Sequence, residues 1–300
     1  MITKKYYKLI RVSHADEGYF YIKNVSNEVG EFTINIYTRG TMEYSLDGVN
    51  WTSYDLTTKP SVSVNPNSNI YLRGTNFINN AVNNSVINFT KDYTVGGNFM
   101  SLSNYSTMGS VTTIDSSNNT IQYAFKQQTH LVSAADLNFG NVTTIGQRGL
   151  YGIFEGCTSL TNVPDLSNVT TIGVYGLSNT FNNCTSLTTG PDLSNVTSIG
   201  SSGLSYIFNN CTSLTTGPDL SNVTSIGSSC LDSALQNCYK LSTATAPNIS
   251  DLTQNNVLYI WLNYAGTQAT GTKVVNVPTG ATILTNSPSG IPTGWTRVDY

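Results

Sequence analysis

Charge is scarce in this chain: Lys and Arg number 14 and Asp and Glu 17 among 300 residues, 10% charged against about 25% in an ordinary soluble domain. So little charge excludes a coiled coil or a charged helix bundle. A net charge of -3 leaves no basic field for a phosphate backbone, so nucleic acid is not an expected partner. His14 and His130 are the only histidines, and neither stands beside a Ser or Cys nucleophile motif. The five cysteines form no Cys-x-x-Cys and no Cys/His spacing that would hold zinc. Long apolar runs are missing as well: Val257 to Leu262 falls far short of the roughly 18 residues of a membrane span, so no membrane partner is expected. The opening MITKKYYKLIRVSHADEG interleaves Lys4, Lys5, Lys8 and Arg11 with Tyr6, Tyr7, Leu9 and Ile10, and does not read as a secretion signal. With no cofactor motif and no acid pair set by spacing, the chain is expected to be neither an enzyme nor a cofactor protein.

What is abundant is Asn, Ser and Thr, at 35, 34 and 41 residues more than a third of the chain. With 39% hydrophobic residues, 18 Tyr and 10 Phe, the sequence is too apolar for a disordered linker and should fold mainly as β. An internal repeat then fixes the architecture. Cys157, Cys184, Cys211 and Cys238 are spaced by 27 residues, and Cys-Thr-Ser-Leu stands at 157–160, 184–187 and 211–214. Three residues before each Cys comes Phe154, Phe181, Phe208 or Leu235; Pro-Asp-Leu-Ser-Asn-Val-Thr follows at 164–170, 191–197 and 218–224, then Ile-Gly at 172–173, 199–200 and 226–227. Weaker copies flank these, including Phe125 with Leu131 and Val142 to Ile145.

A 27-residue period is too short for ankyrin or tetratricopeptide units. The β-branched phrase Leu-Ser-Asn-Val-Thr-Ser-Ile predicts a strand in each unit, whereas Leu204, Ile207, Phe208 and Cys211 fall at helical spacing and predict one or two turns of helix. One such coil cannot bury its own apolar face, so the units must stack into a solenoid with Phe154, Phe181 and Phe208 in its core. The phrases Ile-Gly, Phe and Cys-Thr-Ser-Leu resemble the BspA-like leucine-rich repeats of microbial surface proteins and of phage structural proteins. Met42 to Tyr54 with Ile70 to Thr75 resembles the small β domain often placed before such repeats, and Ser289 to Thr296 their terminal piece.

The expected organisation is an N-terminal arm over 1–12, a β-sandwich-like domain over 13–100, the solenoid over 105–270 and a C-terminal β cap over 271–300. In the first domain Thr33 to Tyr37 and Ser61 to Val64 alternate as strands, and Asp47-Gly48 signals a hairpin. Asn76 to Asn88 reads as a linker, with Val86 to Phe89 open to a short strand.

Each candidate site has a plain alternative. The stacked cysteines Cys157, Cys184, Cys211 and Cys238 sit close enough for a disulfide or metal comb, yet their place three residues after Phe predicts a packed, reduced ladder. Asp165, Asp192 and Asp219 form a carboxylate column that calcium would relieve; otherwise each caps its own turn after Pro. Asn168, Asn195 and Asn222 suit side-chain amide ladders between coils. The positions that vary after Ile-Gly put Arg148, Tyr151, Tyr175 and Tyr206 on one face. They form a strip suited to glycan or protein ligands, or one that merely drifts.

What the resemblance implies is a non-enzymatic virion protein, a head or tail fibre or decoration component assembled in the host cytoplasm. Its N-terminal region would hold other virion proteins and its solenoid would attach to host-surface glycan or protein. A bacterial cell-surface adhesin, a purely structural decoration protein and a homo-oligomer stay open.

Overall fold

A computed structural model describes residues 19–34, 41–75, 86–104, 110–116, 121–287 and 289–300. The expected arm over 1–12, His14, residues 35–37 of the predicted strand and most of the Asn-rich stretch lie outside them. The protein is mainly β, and among the described residues no helix reaches seven residues. Among the described residues the helical pieces include α1 (Ser101–Asn104) and a 3-10 turn over Gln254–Asn256.

Near the N-terminus, strand β1 (Phe20–Asn24) lies between β6 (Asn69–Gly74) and β8 (Tyr93–Asn98), antiparallel to both. The sheet extends from β6 through β3 (Met42–Ser45) to β4 (Thr52–Ser53). A second sheet places β2 (Gly30–Ile34) between β5 (Val62–Val64) and β7 (Ile87–Phe89). Period-two alternation sends Phe20, Ile22, Phe32, Ile34, Ile70 and Leu72 into one core. Asn24, fully buried, ties the sheets together by donating to the Val64 carbonyl at 3.0 Å. The Asp-Gly signal does mark the β3–β4 hairpin, but as a longer loop in which Asp47 accepts from the Val49 and Asn50 amides at 2.8 and 2.7 Å.

Strand β10 (Leu131–Asn138) pairs in parallel with β8, and Ser133 bridges onward to Asn162. The first coil thus extends the N-terminal sheet. Coil upon coil follows. A parallel ladder runs through β9 (Thr113–Ile114), β11 (Thr144–Ile145), β12 (Thr171–Ile172), β13 (Ser198–Ile199) and β14 (Ser225–Ile226). A sparser row passes Thr189, Thr216 and Thr243. It widens into the parallel sheet β15 (Thr243–Thr245), β16 (Val274–Val277) and β17 (Thr296–Asp299). The C-terminal strands therefore continue the stacking direction.

In the core, identical residues meet their equivalents. The Phe125, Phe154, Phe181 and Phe208 rings stack at 5.4, 5.6 and 5.5 Å, within 6° of parallel, and Phe20 and Phe99 close the column at 6.1 and 5.8 Å from Phe125. Coils approach most closely at Ile-Gly: a Cβ on Gly200 would lie 2.8 Å from the Gly173 carbonyl carbon and the Val174 nitrogen.

The predicted short helices are not formed. Between Ile-Gly and Cys each coil runs as successive turns, with a left-handed residue at every fourth position: Tyr175, Asn179 and Asn183 have φ of 55°, 58° and 63°. Alternate N–H groups close turns, as Ser178 to Tyr175 and Thr180 to Leu177, while those between them donate to the next coil, as Leu177 to Gly203 and Phe181 to Ile207. A helix would return every N–H to its own segment. Here half the donors are spent on the neighbouring coil, which is what makes the stack cohere.

Candidate functional site

The variable positions lie on this run of turns. Arg148 and Tyr175 occupy the same place in adjacent coils, and the guanidinium carbon sits 5.5 Å from the Tyr175 ring centroid. Tyr151 meets Tyr123 edge to face at 5.4 Å and accepts from the Asn179 amide at 3.2 Å. Lys126 stands 4.6 Å from the Tyr123 ring centroid and pairs with Glu155 at 3.1 Å. Burial first, then the Tyr151 hydroxyl beside it, pushes the Tyr123 hydroxyl up from its ordinary range. Glu155 being engaged by Lys126, Arg148 is an exposed cation without an ion pair among the described residues.

Three of the four predicted strip residues thus join one cluster. Tyr206 stands apart, 38% exposed and with no ring or cation contact among the described residues. Tyr123 and Lys126 escaped the sequence reading, whereas Asn179 stands at one of its variable positions. Aligning the degenerate coil through Phe125 and Phe154 would have set Lys126 opposite Glu155 and exposed both.

Arg148, Tyr175 and Tyr206 are also strained, with φ of 54°, 55° and 57°. Left-handed backbone costs an ordinary L-residue roughly 1–2 kcal/mol, and the coils place Gly152 and Asn179, which tolerate it, at the position of Tyr206. The resulting surface offers ring faces, a guanidinium and side-chain amides. That chemistry stacks on sugars, pairs with carboxylates and donates to hydroxyls.

The other predicted columns are structural in their contacts. Cys157, Cys184, Cys211 and Cys238 are free and buried, and each thiol donates to the backbone carbonyl of the previous coil's Phe125, Phe154, Phe181 or Phe208, at 2.9 to 3.2 Å. Burial pushes all four thiols up, and Cys230 to about 12, which removes them as nucleophiles. Asp165, Asp192 and Asp219 each accept from the backbone N–H two residues on, at 2.8 to 2.9 Å. Among the described residues no three His, Cys, Asp or Glu side chains gather as metal ligands.

The Asn168 column does not form the expected amide ladder: Asn195 and Asn222 donate to the Ser167 and Ser194 carbonyls of the previous coil. The amide ladder lies elsewhere. Asn237 donates to Asn210 at 2.7 Å and Asn210 to Asn183 at 3.0 Å.

A family model for the BspA type leucine rich repeat region matches residues 122–259 in six copies. Residues 122–259 are BspA-type leucine-rich repeats. No curated protein and no solved structure matches the chain. BspA-type repeats mark a surface-exposed, adhesion-type repeat protein and are generally non-enzymatic. No helix among the described residues is long and apolar enough to cross a membrane.

Proposed function

We propose that this chain is a non-enzymatic surface component of a phage particle, a head or tail fibre or decoration protein, whose BspA-type repeats attach to glycan or protein on the host surface. The observation that supports this most is the strained strip. Arg148, Tyr175 and Tyr206 sit in left-handed backbone that every coil repeats and that Asn or Gly would hold at less cost, so these large side chains are carried against stability. Rings beside an exposed guanidinium give contact area at low entropic cost. A particle carrying many copies turns individually weak contacts into firm attachment. The N-terminal sheets, at the far end of the stack from β17, are the part that holds other virion proteins; the phage placement rests on the resemblance of the repeats.

The test uses the full chain and a triple variant, Arg148→Asn, Tyr175→Asn and Tyr206→Asn, because Asn tolerates the left-handed backbone and spares the fold. Binding to host cells should fall by at least about tenfold in the variant, with its melting temperature unchanged or raised. Equal binding by a folded variant would overturn the recognition reading in favour of a purely structural protein.

A further inference from the structure

The repeats are followed by a cleft that the strip does not reach. Its volume is about 290 Å³, and it lies between the turn carrying Asn263 and Tyr264, Lys273 just before β16, Asn286, and Pro292 with Trp295 just before β17. Gly266 makes it possible. Its φ is +68°, and a Cβ there would lie 2.8 Å from Trp295 Cζ2, Lys273 Cδ and the Leu241 carbonyl oxygen. The absence of a side chain is what allows the indole and the lysine stem to converge.

Three features of the lining point to one kind of occupant. Tyr264 is 64% exposed, more than any other large hydrophobic side chain among the described residues, so an aromatic face stands in water at the rim. No carboxylate lines the cleft, and Lys273 has no ion-pair partner among the described residues, so the site carries one uncompensated positive charge. The Asn263 and Asn286 side-chain amides make no hydrogen bond to described residues and remain available to ligand hydroxyls.

We propose that this cleft binds a single acidic sugar unit, a pyranose bearing a carboxylate or sulfate. The volume of about 290 Å³ lies just below the roughly 300–1,000 Å³ of small-molecule sites, enough for one ring rather than a chain. The Tyr264 face takes the ring, Lys273 the anion and the amides the hydroxyls. This site stands independently of the Arg148 strip.

The experiment is saturation-transfer NMR on the full chain with glucuronic acid, N-acetylneuraminic acid and galactose 6-sulfate, against galactose and sodium sulfate as controls. At least one acidic sugar should bind saturably, and its affinity should drop at least about tenfold in Lys273→Gln and in Tyr264→Asn, while Lys23→Gln, at an exposed lysine of β1, leaves it unchanged. The carboxylate and sulfate arms tell which anion is preferred. Failure of every acidic sugar to bind, equal binding of galactose, full competition by sulfate alone, or binding that survives both cleft variants with their folds intact would each overturn the proposal.

Discussion

The protein should lose stability steeply as pH rises from about 7.5 to about 9.5, because its five cysteines are all buried free thiols. Burial disfavours the thiolate, and the folded-state values lie at about 12 for Cys230 and well above the ordinary thiol range for the four ladder residues. In the unfolded chain each thiol titrates near its ordinary value of about 8.5. Above that pH the unfolded state releases protons that the folded state keeps, so it binds fewer and stability falls as pH rises. At about pH 9.5 each thiol contributes a loss of about 1.4 kcal/mol, and five together about 7 kcal/mol. That rivals the roughly 5–15 kcal/mol of a whole domain. Urea midpoints measured under reducing conditions across this range, for the parent and Cys211→Ala, isolate one thiol. At neutral pH the variant lacks the hydrogen bond to the Phe181 carbonyl and should be less stable by about 1–3 kcal/mol. By about pH 9.5 the gap should narrow by about 1.4 kcal/mol, since the variant has one titrating thiol fewer. A gap constant across the range, or a parent indifferent to pH, would refute the reasoning.

Phe181→Ala removes a ring stacked on both sides, at 5.6 and 5.5 Å, and should cost about 3–5 kcal/mol in urea unfolding. Gly200→Ala drives a Cβ to 2.8 Å from the neighbouring coil's backbone and should lower the melting temperature well below that of Gly280→Ala. The latter has φ of +77° but open space and should cost about 1 kcal/mol. Asn210→Gly and Asn210→Ala both break the amide ladder; only Ala adds left-handed strain, at φ of 60°, so thermal unfolding should separate them by about 1 kcal/mol.

The core columns were legible because a stack needs the same residue at the same height, and Phe154, Phe181 and Phe208 repeat every 27 residues. The turns were misread as helix for a definite reason. Four-residue turns and a 3.6-residue helix both bring Leu204, Ile207, Phe208 and Cys211 to one side, so apolar spacing cannot separate them. The separating signal was the Asn or Gly at every fourth place, Gly152 and Gly156, then Asn179 and Asn183, residues that accept positive φ. The Asn168 column shows the limit of a repeat: recurrence places a side chain in a stack without saying whether it meets its own kind or a backbone carbonyl. The pairing of β10 with β8, which joins the first coil to the N-terminal sheet, had no local signal, because parallel pairing across a long connection is set by packing. In the strip, Arg148 and Tyr151 were readable as variation, but Tyr123 and Lys126 lie in a coil too degenerate to align by phrase.

The surface-display account is tested most directly by mass spectrometry of purified phage particles alongside peptides shaved from the surface of host cells. It predicts peptides of this chain in the particle, with repeat peptides such as those around Tyr175 and Tyr206 released when intact particles are treated with protease. Peptides confined to the cell surface and absent from particles would contradict it and assign the BspA-type repeats to a bacterial adhesin.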